Sequence, residues 1–151
     1  MNLFDRISND IKEAMKAQEK VRLQALRGIK KEFLEAKTAK GSDGELSDDA
    51  ATKILMKMVK QRKDSAAIFT EQSRPELAAN EADEAKVIEA YLPRQMTQEE
   101  LEAALKEIIA QTGATGPQDM GKVMGPATKA LAGKAEGRII SETVKRLLAG
   151  N

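Results

Sequence analysis

The chain has no cysteine, no histidine and no tryptophan. Without cysteine there is no disulfide scaffold, no thiolate nucleophile and no Cys-containing zinc site. Without histidine there is no Ser-His triad, and no side chain titrates near pH 7 unless a neighbour shifts it. Aromatic residues are scarce: Phe4, Phe33, Phe69 and Tyr91 are the whole set in 151 residues. A core must therefore be built from Leu, Ile, Val, Met and the 23 alanines, a composition that favours closely packed helices over a sheet. Excess charge of one sign is also missing. Lys and Arg number 25 against 24 Asp and Glu, a net charge of +1, which argues against a wholly basic nucleic-acid binder. With 41% hydrophobic residues, the chain does not have the composition of a disordered protein. No apolar run reaches membrane-spanning length, so no membrane partner is expected. Residues 1–11 are amphipathic but carry Asp5 and Asp10, which argues against a signal or transit peptide. The expected location is the cytoplasm.

What is present is helical periodicity. Phe4, Ile7, Ile11 and Ala14 fall on one face of a first helix, and Leu23, Leu26, Ile29, Phe33 and Ala36 on one face of a second. The glycines of Gly41-Ser-Asp-Gly44 then break the pattern. Ser47 is placed to cap a third helix running to about Gln72, with Ala51, Leu55, Met58, Ala66 and Phe69 inward. Pro75 suits the first position of a fourth helix, which should end at Leu92 because Pro93 disfavours helical geometry in the residue before it. Thr97 with Glu100 spells a capping box opening a fifth helix, whose inward face is Leu101, Ala104, Leu105 and Ile108 and which Gly113 terminates. A sixth helix starts near Gln118, and Pro126 should kink or split it at Gly125. A last helix runs from about Gly137 to Ala149. No stretch alternates with period two. The expected fold is all-α: an N-terminal domain of about four helices over residues 1–92, then a compact three-helix module over residues 93–151.

The charges are unevenly distributed. From Met120 to Asn151, Lys122, Lys129, Lys134, Arg138, Lys145 and Arg146 face only Glu136 and Glu142, a net of +4. Helical spacing puts Lys122 and Lys129 on one face, opposite Met120, Val123 and Met124. Lys134 and Arg138 follow at a turn and a helix start, where exposed N–H groups beside cations can hold a phosphate. The competing interpretation of this cluster is an ordinary solvated face. Gly121 and Gly125, four apart in a helical pattern, cost roughly 1 kcal/mol each relative to Ala, and close packing against another helix is the expected reason. A second basic stripe is formed by Lys53, Lys57 and Lys60 with Arg62 and Lys63. A third lies between residues 20 and 40, where seven cations face Glu32 and Glu35. Both are expected to be charged sides of amphipathic helices, neutralised by the acidic run Glu71, Glu76, Glu81, Asp83, Glu84 and Glu89. The acids Asp43, Glu45, Asp48 and Asp49 lack EF-hand order and are expected to serve the loop and the helix dipole.

Three elements carry a family resemblance: Met120-Gly121-Lys122, the turn Gly133-Lys134-Ala135-Glu136-Gly137, and the final helix with Val144-Lys145. Together with Tyr91-Leu-Pro-Arg-Gln95 upstream, they resemble the YqeY family over essentially the whole chain. Over about the last third, the chain is similar to the tail domain of the GatB-type chain of glutamine-dependent aminoacyl-tRNA amidotransferases. Glu136 stands where that family more often has aspartate, and the longer acid is a poorer local cap. The resemblance implies a helical protein whose tail contacts tRNA, or a tRNA-bearing complex, through backbone phosphates. The basic charge of the terminal segment locates that contact on Lys122, Lys129, Lys134, Arg138, Lys145 and Arg146.

No catalytic residue, cofactor site or metal site is expected. The module has no aromatic residue to stack on bases, so base-specific recognition is not indicated either. In the family the glutamine-dependent carbon–nitrogen ligase chemistry belongs to other domains, so an amidotransferase description reaches this chain only by association. The alternatives are a protein-interaction or assembly module without RNA, with an amidotransferase or another protein as its partner, and a catalyst in its own right.

Overall fold

A computed structural model describes residues 2–150. Among them are seven α-helices and no strand. The chain divides into two compact units, Met1–Leu92 and Pro93–Asn151.

The first unit is a four-helix assembly: α1 (Leu3–Lys16), α2 (Lys20–Thr38), α3 (Asp48–Glu71) and α4 (Pro75–Glu89). Local chemistry sets the starts. The Asn2 side chain accepts from the Asp5 N–H at 2.8 Å, and the Ser47 hydroxyl accepts from the Ala50 N–H at 3.1 Å. Pro75 opens α4, where its missing N–H costs nothing. Most of the periodic apolar positions meet in one core of Ile7, Ala14, Leu26, Ile29, Phe33, Ala51, Leu55, Met58, Val59, Ile88 and Tyr91, with Phe4, Ile11 and Leu23 packed on it, whereas Ala36, Ala66 and Phe69, expected inward, are only half-buried. Helix α4 closes at Glu89, earlier than the Leu92 expected from Pro93. The N–H groups of Tyr91 and Leu92 bond back three residues, to Ile88 and Glu89, so the last turn tightens out of α geometry before the proline.

Two polar groups lie inside this unit. The Tyr91 hydroxyl donates to the Asp10 carboxylate at 2.5 Å, with the Arg6 guanidinium 4.7 Å from the ring centre. Burial and that bond push the phenol up to about 12. Glu84 is 2% exposed. Its Oε2 lies 3.6 Å from Arg62 and accepts from Asn80 at 3.3 Å, while Oε1 has no hydrogen-bond partner among the described residues. Burial pushes the Glu84 carboxyl above its ordinary range, against the pull of Arg62.

The second unit contains α5 (Gln98–Thr112), a 3-10 turn at Pro117–Asp119, α6 (Met120–Ala130) and α7 (Gly137–Leu148). The capping box forms in both directions, Glu100 N–H to the Thr97 hydroxyl at 3.1 Å and Thr97 N–H to the Glu100 carboxylate at 3.1 Å. Gly113 ends α5 at φ +72°, a conformation that favours glycine. The core is Leu101, Leu105, Val123, Ala127, Leu131, Ile140, Val144 and Leu148. Thr143 is buried among them and satisfied, accepting from Gln98 at 3.1 Å and donating to the Ile139 carbonyl at 2.7 Å.

In α6 one of the two effects expected of Pro126, a split, does not occur, and the expected glycine contact is overturned. Pro126 lies inside a continuous helix rather than splitting it. A proline normally clashes with the Cβ of the residue before it, and Gly125 has none. The N–H that Pro126 cannot supply would have bonded the Lys122 carbonyl; both residues are exposed, so water can stand in. Nor do Gly121 and Gly125 sit at a close helix contact: a Cβ added at either would have no neighbour within 4 Å. The two glycines instead form a bare strip on the outer side of α6.

Candidate nucleic-acid interface

The charge of the second unit is sorted by helix. Helix α5 carries Glu99, Glu100, Glu102 and Glu107 against Lys106, and the cations gather on α6, the turn after it, and α7. On α6, Lys122 and Lys129 are exposed beside the Gly121–Gly125 strip, while Val123 and Ala127 point into the core. Large side chains are absent from that strip, so a partner can approach the helix backbone between the two lysines.

The turn after α6 is built from both sides. Gly133 takes φ +77°, a left-handed conformation that favours glycine. Its carbonyl accepts from the Gln95 side chain at 2.7 Å, and the Lys134 carbonyl accepts from the Met96 N–H at 2.9 Å. The Lys134 N–H closes the turn on the Leu131 carbonyl at 2.9 Å. The backbone that presents the Lys134 side chain is thus held by the segment Pro93–Met96. Glu136 stands at the start of α7 and makes no side-chain cap bond, as expected from its length.

The six basic residues differ in how free they are. Lys129, Lys134 and Lys145 are exposed, and among the described residues none has a carboxylate within 4 Å. Lys122 lies 3.6 Å from Asp119, whose carboxylate also accepts from the Thr115 N–H at 2.9 Å. That N–H bond, with Lys122 nearby, holds Asp119 below the usual carboxylate range. Arg138 pairs loosely with Glu142 one turn along α7, at 3.7 Å. Arg146 is engaged with Glu102 on α5, and its hydrogen bond depresses the Glu102 pKa. The residues left over for a partner are therefore Lys122, Lys129 and Lys134, with Arg138 and Lys145 on a common face of α7 spaced seven apart. Arg146 serves chiefly to tie α7 to α5. Sequence reasoning gave no role to Gln95 and Met96, whose bonds to the turn depend on a tertiary contact.

The basic stripe of the first unit is only partly neutralised. Arg62 meets Glu81 at 3.3 Å and Glu84 at 3.6 Å, and Lys63 meets Glu89 at 2.7 Å, as expected from the acidic run. Lys60 is instead paired within its own helix to Asp64 at 2.7 Å. Lys53 and Lys57 have no carboxylate within 4 Å among the described residues, a correction to the expectation that α4 covers the whole stripe. Both side chains are exposed on α3.

Known proteins resemble the chain across both units. A family model described as Yqey-like protein matches residues 4–148. The chain is 30% identical over 114 residues, 74% of its length, to "Altered inheritance of mitochondria protein 41, mitochondrial" of Kluyveromyces lactis. It is 33% identical over 90 residues, 60% of its length, to the protein of the same name from Clavispora lusitaniae. The matches span 60% and 51% of those two relatives, less than two thirds of either.

Proposed function

Because the chain belongs to the YqeY-like family, we propose that it is a binding module whose second unit contacts RNA phosphates, with tRNA or a tRNA-bearing complex as its partner. The observation that carries this is the strip over Gly121 and Gly125, open to solvent and flanked by Lys122 and Lys129. Beside it, a turn braced by Gln95 and Met96 presents Lys134. A phosphate backbone meets there Lys129 and Lys134, with no carboxylate within 4 Å among the described residues, Lys122 beside Asp119, and a helix that it can approach closely. Base-edge recognition is not part of the proposal, since the unit has no aromatic residue and its charges suit phosphates. Association with an amidotransferase is the narrower form of the same proposal, in which the chain contributes RNA contact and the amide-transfer chemistry resides elsewhere.

The test is binding of end-labelled tRNA to the full chain at low salt, followed by fluorescence anisotropy. The variant Lys122→Gln, Lys129→Gln, Lys134→Gln, Arg138→Gln should keep its helicity and lose binding. Lys53→Gln, Lys57→Gln, Lys60→Gln should retain most of it. If the first variant binds as the wild type does while the second does not, the contact is on the other unit. If the wild type does not bind at low salt, the protein-interaction alternative replaces this one.

A further inference from the structure

We propose that the outer face of α2 is a docking surface for an acidic amphipathic helix of a partner protein. The face is built from residues three and four apart: Arg27, Lys30, Lys31, Leu34, Glu35 and Thr38 line a shallow hollow of about 370 Å³, wide open to solvent. Arg27, Lys30, Lys31 and Leu34 stand at i, i+3, i+4 and i+7. That is the four-cornered hole into which a knob from a facing helix inserts, and Lys31, Leu34, Glu35 and Thr38 form the next hole along. Leu34 is 42% exposed, one of few large apolar side chains left open. The aliphatic stems of the basic residues extend its apolar floor while their heads remain in water.

Charge selects the partner. Among the described residues, Arg27 and Lys30 have no carboxylate within 4 Å, and Lys31 has only Glu35, 3.9 Å away on the same helix. The Thr38 hydroxyl is spent on the Leu34 carbonyl at 2.8 Å, so it offers no free donor. Three acids of this unit's fourth helix, Glu81, Glu84 and Glu89, are engaged elsewhere, by Arg62 and Lys63 on α3. A polyanion such as RNA would satisfy the cations and leave Leu34 against a polar backbone. A helix bearing an apolar stripe flanked by glutamates satisfies both: its apolar knobs enter the two holes, and its carboxylates reach Arg27, Lys30 and Lys31. This surface lies on the first unit and does not depend on RNA contact by the second.

The probe is an end-capped synthetic helix of about three heptads, with one leucine stripe flanked by glutamates. Binding to the full chain is followed by anisotropy and by backbone amide shifts. Saturable binding is expected, with shifts centred on α2. Leu34→Ser, an exposed substitution whose folding is checked by its melting temperature, should weaken binding roughly tenfold or more, and so should Arg27→Gln with Lys30→Gln. Replacing the peptide leucines by serine should have the same effect. Absence of saturable binding overturns the proposal. So does binding that ignores Leu34→Ser, or that oligouridylate competes away at equal charge, because the surface would then be a general anion site.

Discussion

Glu84 shows at the residue scale how one side chain can make a helix pair depend on pH. Its carboxylate is almost wholly buried, held on one oxygen by Arg62 and Asn80 and on the other by no hydrogen bond among the described residues. The folded-state pKa lies above the ordinary value of 4.5, so the folded protein binds this proton more tightly than the unfolded chain. The associated stability is held at low pH and lost as pH rises through the raised pKa. Arg62→Met should therefore cost about 2–3 kcal/mol at neutral pH, by leaving a buried charge unpaired. Adding Glu84→Gln to that variant should restore most of the loss and flatten stability against pH above 4.5, measured by urea unfolding at several pH values. The glycines of α6 make the opposite case, because they do not pack. A Cβ at Gly121 meets open space, so Gly121→Ala should stabilise by up to about 1 kcal/mol. Gly125→Ala should not show this gain, since the new Cβ faces the Pro126 ring. Equal rises in melting temperature would mean that Gly125 has no part in accommodating the proline.

At the scale of elements, the second unit depends on the start of α5. Thr97 and Glu100 cap each other, and Arg94 lies 2.5 Å from the same carboxylate. Those bonds, Arg94 first, hold Glu100 down to about 2. Its contribution to stability is present above 4.5 and lost as pH falls toward 2. Thr97→Ala should cost about 1 kcal/mol. Glu100→Gln should reduce the acid-side slope within that window, leaving the part due to Asp119 and Glu102, and should leave the slope above it unchanged, read from thermal unfolding across the range. These starts and stops were legible in the sequence, because a cap is local: Ser47, Pro75, Thr97 with Glu100, and Gly113 each work within a few residues. The apolar periods were legible for the same reason, and Ile7, Leu26, Phe33, Leu55, Leu101 and Val144 are all buried. Pro126 and the glycine pair were not legible, because neither behaves as its residue type usually does. Relief of the proline clash by Gly125, and the open space over Gly121, depend on what stands next to them.

At the scale of the whole molecule, a near-neutral chain is divided into surfaces of opposite sign. In the first unit Glu81, Glu84 and Glu89 of α4 pair with Arg62 and Lys63, while Lys53, Lys57, Arg27 and Lys30 have no carboxylate within 4 Å among the described residues. In the second, α5 carries four acids against one lysine, and the cations lie on α6, the turn after it and α7. The candidate site was legible as a list of cations but not as a surface. Sequence could not separate Arg146, which is engaged by Glu102, from Lys129 and Lys134, which have no carboxylate within 4 Å among the described residues, because pairing depends on which helices touch. It could not find the bracing of Gly133 by Gln95 for the same reason. The central claim is that the exposed cations of the second unit meet phosphates, and the salt dependence of tRNA binding tests it most directly. Each phosphate that a variant can no longer neutralise should reduce the slope of log affinity against log salt by roughly 0.7–0.9, so the variant at Lys122, Lys129, Lys134 and Arg138 should flatten it by about 3. A slope unchanged in that variant would contradict the account, because the counterions released on binding would then come from another surface.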